Sequence, residues 1–387
     1  MRVLLVSSGS GSRGGGEIFL YYLGKGLSDR GHDIISWIPS HPRMDELAEK
    51  CEQVGSVFRA SYRNTYDYST RSLATCFNSA ESLRIAHEWN SLEPDIVHIN
   101  KQNLEDGLDL LRAAKMSICP SVCTIHLTQT ARYLRAKGAW LRDWIARSEL
   151  RKYQGSFVAV QDQRRDMLAK FLGGDVRTKT IFNGVPGADP MELASLREAK
   201  RRDLGLVDSN LLVVGVGRLV EQKRPFHFLE IAQELHRQIA GIRFLWVGDG
   251  PLRVQWREAI LKKDLEGIVT LVGWQSDVLP YLAAGDLLLH VAKFEGLPFG
   301  VIEAMAAGLP CALTRDLASE VPFIDGKNVI FFNDVVDLVK RLNPHSLASI
   351  AEGGLHLIKD HLSLGKMAKC YEDLYVDTIV KDKGRSE

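Results

Sequence analysis

The chain has 387 residues, of which 45% are hydrophobic and 25% are charged, and its formal net charge is +1. This length exceeds what one hydrophobic core usually organises, so we expect two domains. The near-neutral charge predicts no bulk attraction to nucleic acid, and no stretch approaches the ~20 consecutive apolar residues of a membrane span.

The cysteines are scattered, without a C-x-x-C pair or a zinc-like cluster with histidines. They are Cys51, Cys76, Cys119, Cys123, Cys311 and Cys370. This usage favours reduced, mostly buried thiols in a cytosolic protein over a redox site or a structural metal. Because the apolar run over residues 3–6 is too short for a signal peptide, we expect a cytoplasmic location.

The first predicted elements are a buried strand at residues 3–6, a glycine-rich turn and an apolar helix around residues 18–23. The turn at residues 9–14 matches the G-x-G-x-x-G dinucleotide fingerprint, but a lone match is weak. A dehydrogenase would also need an acid at the end of its second strand. That strand, residues 34–38, ends in Pro-Ser-His, so the sequence disfavours a dinucleotide site.

Two further predicted strands, residues 94–100 and 121–126, each bring a histidine toward the carboxyl edge of the first sheet. These are His98 and His126. Open α/β sheets bind their ligands at that edge, although a histidine after a strand is often structural. The residues alone leave both interpretations open.

Residues 131–153 combine basic and aromatic side chains, and Gly138 is predicted to break them into two helical pieces. Trp140 and Trp144 share one helix face at i, i+4 spacing. Two interpretations stay open. Either this is a surface helix that packs its tryptophans inward, or it is an interfacial segment that lies on an anionic membrane at its inner face.

The second half begins after a Pro- and Gly-rich linker at residues 185–191, where residues 211–216 predict the first strand of a second sheet. Arg218 and Lys223 follow that strand. Because a guanidinium can bind two phosphate oxygens and an ammonium supplies a point charge, this pair suits a diphosphate.

A buried strand near residue 288 leads to a loop that contains Glu295 and a helix that contains Glu303. Pro298 suits the helix start, and the amides of Phe299 and Gly300 would form a phosphate site there. The sequence therefore predicts two carboxylates on either side of an anion site.

Glu295, Glu303 and the following Ala-Met-Ala-Ala-Gly-Leu-Pro string resemble the signature of the retaining nucleotide-sugar glycosyltransferases of family 4, group 1. The openings at residues 14–17 and 30–34, the Asn-Gly-Val string at 183–185 and the 217–223 loop are similar to the family as well. His-Val at 290–291 and Leu-Pro-Phe at 297–299 depart from its usual Pro-Ser and Phe-Gly-Leu, without removing a charged group.

The resemblance spans nearly the whole chain and implies the GT-B fold, in which two Rossmann-like α/β domains face each other across a cleft. Residues 1–187 would form an acceptor-binding domain and residues 188–365 a nucleotide-sugar-binding domain. Residues 366–387 would form a C-terminal helix that crosses back to the first domain.

The resemblance also implies roles for individual residues. Glu295 would lie by the donor sugar hydroxyls, Glu303 would bind the ribose, and His126 would contact the donor sugar near the acceptor. The implied catalytic residues are Glu295, His126, Arg218 and Lys223. The implied donor-binding residues are Gly15, Gly16, Arg218, Lys223, Gly273, Trp274, Leu297, Pro298, Phe299, Gly300 and Glu303. The implied acceptor-side residues are Glu17, His98 and His126.

The implied function is a retaining hexosyltransferase that moves a sugar from a UDP- or GDP-type donor to a glycan, lipid-linked or small-molecule acceptor. Cell-envelope polysaccharide or glycoconjugate synthesis would be its setting. We expect no cofactor and no metal, because no Asp-x-Asp lies in a metal context and Arg218 and Lys223 would take the place of Mg²⁺. Two alternatives remain: a nucleotide-sugar 2-epimerase on the same fold, and a sugar-nucleotide-binding module without catalysis.

Overall fold

The computed structural model describes residues 1–9, 14–68, 73–75, 79–174, 176–317 and 322–386. The chain divides into two compact units, so the predicted two-domain α/β organisation is confirmed. The first domain comprises Met1–Gly184 together with the segment that begins at Leu364, and the second comprises Val185–Ser363. The predicted boundaries were 187/188 and 365/366, and the structure has them at 184/185 and 363/364.

The described part of the first domain contains a parallel sheet with the strand order β3-β2-β1-β4-β5-β6-β7. Its strands are β1 (Arg2–Ser7), β2 (Asp33–Pro39), β3 (Ser56–Ala60), β4 (Ile96–Lys101), β5 (Ser121–Ile125), β6 (Ser156–Ala159) and β7 (Thr178–Thr180). The helices are α1 (Gly15–Ser28), α2 (Asp45–Glu52), α3 (Ser79–Ser91), α4 (Leu108–Met116), α5 (Ala139–Arg151) and α6 (Asp162–Leu172).

The described part of the second domain contains a parallel sheet with the strand order β10-β9-β8-β11-β12-β13. Its strands are β8 (Leu211–Val216), β9 (Ile242–Val247), β10 (Val269–Gly273), β11 (Leu287–His290), β12 (Cys311–Thr314) and β13 (Ile330–Phe332). The helices are α7 (Pro190–Asp203), α8 (Pro225–Gln238), α9 (Arg253–Lys262), α10 (Leu279–Ala284), α11 (Phe299–Ala306), α12 (Val335–Arg341) and α13 (Pro344–His361).

The strand order of each sheet determines where a ligand can bind. All these strands are parallel, but the direction in which successive strands are added to the sheet reverses between β1 and β4 in the first sheet and between β8 and β11 in the second. Loops that leave these neighbouring strands in opposite directions leave a crevice beyond their carboxyl ends. The central strands are buried apolar runs because helices cover both faces of a parallel sheet. Each domain therefore has one favoured binding edge.

The last helix, α14 (Leu364–Ser386), packs in the first domain against α1 and β5, as predicted. Tyr371 and Tyr375 on this helix are fully buried. The hydroxyl of Tyr371 lies 2.8 Å from the Thr124 hydroxyl, and that of Tyr375 hydrogen-bonds the His98 ring. The C-terminal helix is thus part of the core of the first domain.

Two further predictions concern the cysteines and membrane-spanning segments. Cys51, Cys123 and Cys311 are buried, Cys119 is half-buried and Cys370 is exposed, and each of these is a free thiol. Cys76 lies outside the described residues. None of the helices in the described ranges combines the length and the apolar character that crossing a membrane requires.

Candidate active site

The loop between β11 and α11 contains Glu295 and ends at Pro298, which caps the helix through its backbone without a side-chain hydrogen bond. The amides of Val301 and Ile302 donate to the Pro298 carbonyl at 3.1 and 3.2 Å. Gly300 permits a close approach, because a Cβ at this position would lie 3.3 Å from the Val216 side chain. The start of α11 is therefore held against the end of β8, at the switch point of the second sheet.

Glu295 is the centre of a buried charged cluster at this edge. Its side chain is 8% exposed and forms an ion pair with Lys223, which is 19% exposed. His290, the last residue of β11, places Nε2 3.5 Å from Glu295 Oε1. Because an unpaired buried carboxylate is costly, Lys223 stabilises Glu295 in its place.

The cluster determines the charge of its members. Burial acts to raise the pKa of Glu295, but the Lys223 ammonium and His290 outweigh it and lower that pKa to about 2. Burial lowers the pKa of His290 below its ordinary value, although Glu295 opposes the shift. At neutral pH, Glu295 is therefore an anion paired with Lys223, and His290 is a neutral ring.

Arg218 differs from Lys223, although the sequence predicts both as parts of one phosphate clamp. Arg218 is exposed in the turn after β8 and forms no ion pair with any residue that the structure describes. The turn depends on glycine: Gly217 has φ +156°, and a Cβ at Gly248 would lie 2.1 Å from the Gly217 oxygen. Arg218 is thus available to an incoming anion, whereas Lys223 is already paired.

No motif in the sequence indicates the contacts that join the two loops of this site. The Gln222 side chain donates to the Phe294 carbonyl at 2.9 Å, and the Lys293 amide donates to the Gln222 carbonyl at 2.8 Å. Arg224 donates to the Val291 carbonyl at 2.7 Å and pairs with Asp316. The loop with Arg218 and Lys223 and the loop with Glu295 are therefore positioned together.

The other predicted donor-binding residues of the second domain lie on neighbouring segments. Gly273, with φ +87°, accepts a hydrogen bond from the Gly248 amide at 2.8 Å, which places Trp274 directly after β10. Glu303 is half-buried on α11. Leu297 and Phe299 are buried, so their side chains serve the core, and only their backbone could reach a ligand.

His126 lies at the equivalent edge of the first domain, directly after β5. Its side chain is 6% exposed and packs edge-on against Phe19, with ring centroids 4.9 Å apart. Its Nε2 lies 2.8 Å from Asn100 Oδ1, and Asn100 Nδ2 donates to the Gly16 carbonyl at 2.7 Å. Burial lowers the pKa of His126 to about 3, so the ring is neutral at neutral pH.

The predicted acceptor-side role of His98 does not fit its position. β4 continues to Lys101, which places His98 in the middle of the strand rather than at its end. The ring is fully buried, with Nδ1 bonded to the Tyr375 hydroxyl and Nε2 2.9 Å from the Thr124 hydroxyl. With both nitrogens engaged inside the core, His98 is a structural residue that joins the sheet to α14.

The glycine-rich turn is shorter than expected, because α1 already begins at Gly15. A Cβ at Gly16 would lie 1.6 Å from Gln102 Oε1, so close packing against Gln102 requires glycine here. Glu17 follows in the first helical turn and is 7% exposed. Residues 10–13, which belong to the G-x-G-x-x-G match, lie outside the described residues.

Of the two helical pieces predicted for residues 131–153, the structure has only the second, which follows Gly138. Residues 131–135 form turns instead of a first helical piece, and α5 begins only after Gly138, whose φ is +64°. Trp140 and Trp144 are 67% and 60% exposed, so the interpretation that they pack inward is wrong.

Further apolar and basic side chains are exposed beside these tryptophans. They are Arg132, Tyr133, Leu134, Arg135, Lys137 and Leu141. We call residues 132–137 together with Trp140, Leu141 and Trp144 the aromatic-basic surface. Arg142 does not belong to it, because its guanidinium contacts both carboxylate oxygens of the buried Glu105 at 2.8 and 2.7 Å.

Within the described ranges, no group of three or more His, Cys, Asp or Glu side chains is arranged to hold a metal ion. The binding edge of the second domain has an exposed guanidinium, a buried ion pair and a helix start without a side-chain cap. The binding edge of the first domain has a neutral histidine.

Two family models match the chain. Residues 13–187 match the model described as Glycosyltransferase Family 4, and residues 210–344 match the model described as Glycosyl transferases group 1. The predicted resemblance is confirmed by these matches, which reach both domains.

Curated relatives of similar length carry glycosyltransferase names. The chain is 28% identical over 319 residues to the alpha-monoglucosyldiacylglycerol synthase of Acholeplasma laidlawii, with 77% of this chain and 79% of that protein covered. It is 24% identical over 315 residues to the UDP-Gal:alpha-D-GlcNAc-diphosphoundecaprenol alpha-1,3-galactosyltransferase of Escherichia coli, with 74% and 76% covered.

Solved structures resemble the whole chain. The crystal structure of Anabaena HepE in complex with UDP-glucose has a TM-score of 0.75 at 18% identity and covers 97% of this chain and 99% of that one. Sucrose-phosphate synthase from Thermosynechococcus elongatus has a TM-score of 0.77 at 16% identity, with 98% and 99% covered. At these identities the likeness bears on the fold alone, and it confirms the predicted GT-B fold.

Proposed function

Because the chain belongs to the family 4, group 1 glycosyltransferases, we propose that it transfers a sugar from a UDP- or GDP-sugar, with retention of configuration and without a metal ion. The observation that carries this proposal is the position of Arg218. It is an exposed guanidinium at the switch point of the second sheet, beside the start of α11 and the Lys223–Glu295 pair. The family resemblance of Glu295 and Glu303 supports the proposed retention.

Charge development explains how this site would act. As the nucleoside diphosphate leaves, negative charge grows on its phosphate oxygens, and preorganised cations and amides lower the barrier. Arg218 can bind two of these oxygens, and the first-turn amides of α11 add the positive end of a helix dipole. These groups supply the charge that Mg²⁺ would otherwise bring, and we propose no cofactor.

Lys223 takes a second role in this proposal. A donor sugar whose hydroxyls bind the Glu295 carboxylate competes for the anion that Lys223 neutralises. The ammonium can then contribute to the diphosphate while it remains near Glu295. The resting ion pair thus keeps both groups charged and oriented before the donor arrives.

For the acceptor, we propose a glycan, a lipid-linked sugar or a small molecule used in cell-envelope or glycoconjugate synthesis. The names of two relatives favour the lipid-linked class, because they include a diphosphoundecaprenol and a diacylglycerol. We also propose that the aromatic-basic surface contacts an anionic membrane at its cytoplasmic face. Exposed tryptophans beside exposed arginines and a lysine are the composition of an interfacial segment.

The enzymatic proposal is tested by incubating the purified protein with separate nucleotide sugars and analysing the products. Slow release of the nucleoside diphosphate supports a transferase, whereas a changed sugar identifies a 2-epimerase and binding without turnover identifies a module. A thermal-shift screen selects the donor first, because a ligand at ~100 times its Kd stabilises by roughly 2.7 kcal/mol. A protein that no UDP- or GDP-sugar stabilises contradicts the proposed donor class.

A further inference from the structure

Asn100 is a buried residue near the end of β4 whose amide contacts two different segments. Its side chain has no exposed surface. Nδ2 lies 2.7 Å from the Gly16 carbonyl in α1, and Oδ1 lies 2.8 Å from His126 Nε2 after β5. One amide therefore joins the start of α1 to the histidine at the binding edge.

The Gly16 carbonyl fixes the orientation of this amide. A carbonyl oxygen only accepts hydrogen bonds, so the NH₂ group of Asn100 must face it. Turning the amide around would bring two oxygens to 2.7 Å without a proton between them. Asn100 Oδ1 is consequently the atom that faces His126.

The orientation of Asn100 in turn fixes the proton on His126. Because Oδ1 can only accept, Nε2 must carry the hydrogen that it donates. The imidazolium form is excluded at neutral pH, since burial lowers the pKa of His126 to about 3. The neutral ring therefore keeps a lone pair on Nδ1, which has no hydrogen-bond partner among the residues that the structure describes.

We propose that Asn100 is a positioning residue that fixes the tautomer of His126, so that the ring presents Nδ1 to the substrate as a hydrogen-bond acceptor. The inference rests on the proposed function, because a sugar or acceptor hydroxyl is the donor that this lone pair would select. A carboxylate or phosphate oxygen at the same position would face the lone pair without a proton. The site thus discriminates in favour of a hydroxyl.

The tautomer is measured without substrate, by long-range ¹H–¹⁵N correlation NMR on the full-length protein, with His126→Gln used to assign the signals. Wild type should show a protonated Nε2 and a bare Nδ1 for His126. A protonated Nδ1 overturns the proposal. Because no donor or acceptor is present, this result is independent of whether the proposed function is correct.

Two variants at position 100 separate positioning from simple packing. Asn100→Ala removes the acceptor opposite Nε2 and should give a mixture of both forms, whereas Asn100→Gln keeps an amide that can donate and accept and should retain more of the Nε2-protonated form. Asn328→Ala, which removes a buried asparagine of the second domain, is the matched control and should leave the His126 signals unchanged. An unchanged tautomer in folded Asn100→Ala contradicts the proposal.

Activity provides the second measurement. Asn100→Ala should lower kcat/KM by roughly tenfold, the effect of one misplaced neutral hydrogen bond. The loss should nearly vanish in the His126→Gln background, because Asn100 acts through that ring. Additive losses in the double variant would show that Asn100 acts on the substrate by another route and would overturn the inference.

Discussion

The binding edges of the two domains occupy equivalent places in parallel sheets, yet they present opposite kinds of chemistry. The edge of the second domain has Arg218 in solvent and a buried Lys223–Glu295 pair, with the pKa of Glu295 lowered to about 2. The edge of the first has His126, neutral because burial lowers its pKa to about 3. Charge suits a diphosphate, whereas neutral acceptors and donors suit sugar hydroxyls. The same strand order thus supports two recognition chemistries, and the loop side chains decide between them.

Breaking the charged pair should produce the largest effect. Lys223→Met leaves Glu295 buried without its cation and should lower the free energy of unfolding of the second domain by about 3–5 kcal/mol. The double variant Lys223→Met/Glu295→Gln should lose much less than the sum of the single changes. The measurement is a double-mutant cycle by hydrogen exchange on β8 and β11.

The matched change at the neutral edge, His126→Gln, removes no charge and should cost about 1 kcal/mol in the first domain. Equal losses of unfolding free energy in the two domains would show that the charged edge and the neutral edge do not differ in their contribution to stability.

Removing the exposed cation should affect catalysis without affecting the fold. Arg218→Ala should raise the barrier by roughly 3 kcal/mol, which is about a hundredfold in kcat, because charge on the leaving diphosphate loses its partner. Arg218→Lys should restore little, since an ammonium cannot bind two oxygens at once. The unfolding temperature should match wild type, and Arg257→Ala, another exposed arginine of this domain, is the control. A folded Arg218→Ala enzyme with near-wild-type kcat would show that this turn does not stabilise the leaving diphosphate.

The two domains should also differ in membrane binding, because the aromatic-basic surface lies on the first domain. Wild-type protein should bind phosphatidylglycerol vesicles at low salt, and the triple change Arg132→Glu, Arg135→Glu and Lys137→Glu should abolish this, because each basic group near such a surface contributes about 1 kcal/mol. Vesicle binding should shift the tryptophan fluorescence of the wild-type protein to shorter wavelength. The double variant Trp140→Ala/Trp144→Ala should bind more weakly and lose this shift.

The vesicle experiment needs a matched set of reversals elsewhere on the first domain. Arg43, Lys115 and Lys381 are exposed residues outside the aromatic-basic surface, and their change to Glu should leave most of the binding. Equal loss of binding from both sets would indicate attraction by overall charge. If the wild-type protein does not bind the vesicles, the proposed membrane contact is wrong.

Acid should weaken the first domain more than the second, because burial lowers the pKa of His98 and His126 in the first domain and of His290 in the second. His98 and His126 have folded pKa values near 3 against 6.5 for the free group, so the stability they confer is lost as pH falls through 6.5 toward 3. Glu295 is lowered from 4.5 to about 2, so its contribution is lost only below 4.5. Between pH 6.5 and 4.5, each histidine should cost about 1 kcal/mol per pH unit. Hydrogen exchange on β5 and β8 measures both domains, and His126→Gln should flatten the slope of the first alone.

The smallest expected effect is that of chelation. Because Arg218 and the start of α11 supply the positive charge, EDTA should leave turnover unchanged. Loss of most activity on chelation, restored by Mg²⁺ or Mn²⁺, would show that Arg218 and the start of α11 do not take the place of a metal ion.

Much of this site is local in sequence and could be predicted. The buried strand before Glu295, the helix start after Pro298 and the loop with Arg218 each depend on a few consecutive residues, and the structure has all of them. The roles of these residues in binding stay predictions.

The predictions that the structure contradicts concern residues whose positions depend on contacts between distant segments. The sequence predicts His98 at a strand end, but pairing with β1 and β5 extends β4 to Lys101. Asn100 lies two residues beyond His98 and therefore on the same strand face, a signal that could have identified it. The Lys223–Glu295 pair joins residues 72 apart. Exposure of Trp140 depends on what the rest of the domain leaves uncovered, which periodicity cannot determine.

The return of α14 to the first domain has a consequence for how the chain is made. The whole of Val185–Ser363 is synthesised before Leu364 is joined to the chain, so the segments of the second domain leave the ribosome before α14 does. The first domain begins earlier but cannot finish, because His98 must wait for a tyrosine 277 residues further on. The domain whose synthesis begins first is therefore the last to be completed, and until α14 docks, its sheet carries uncovered apolar surface.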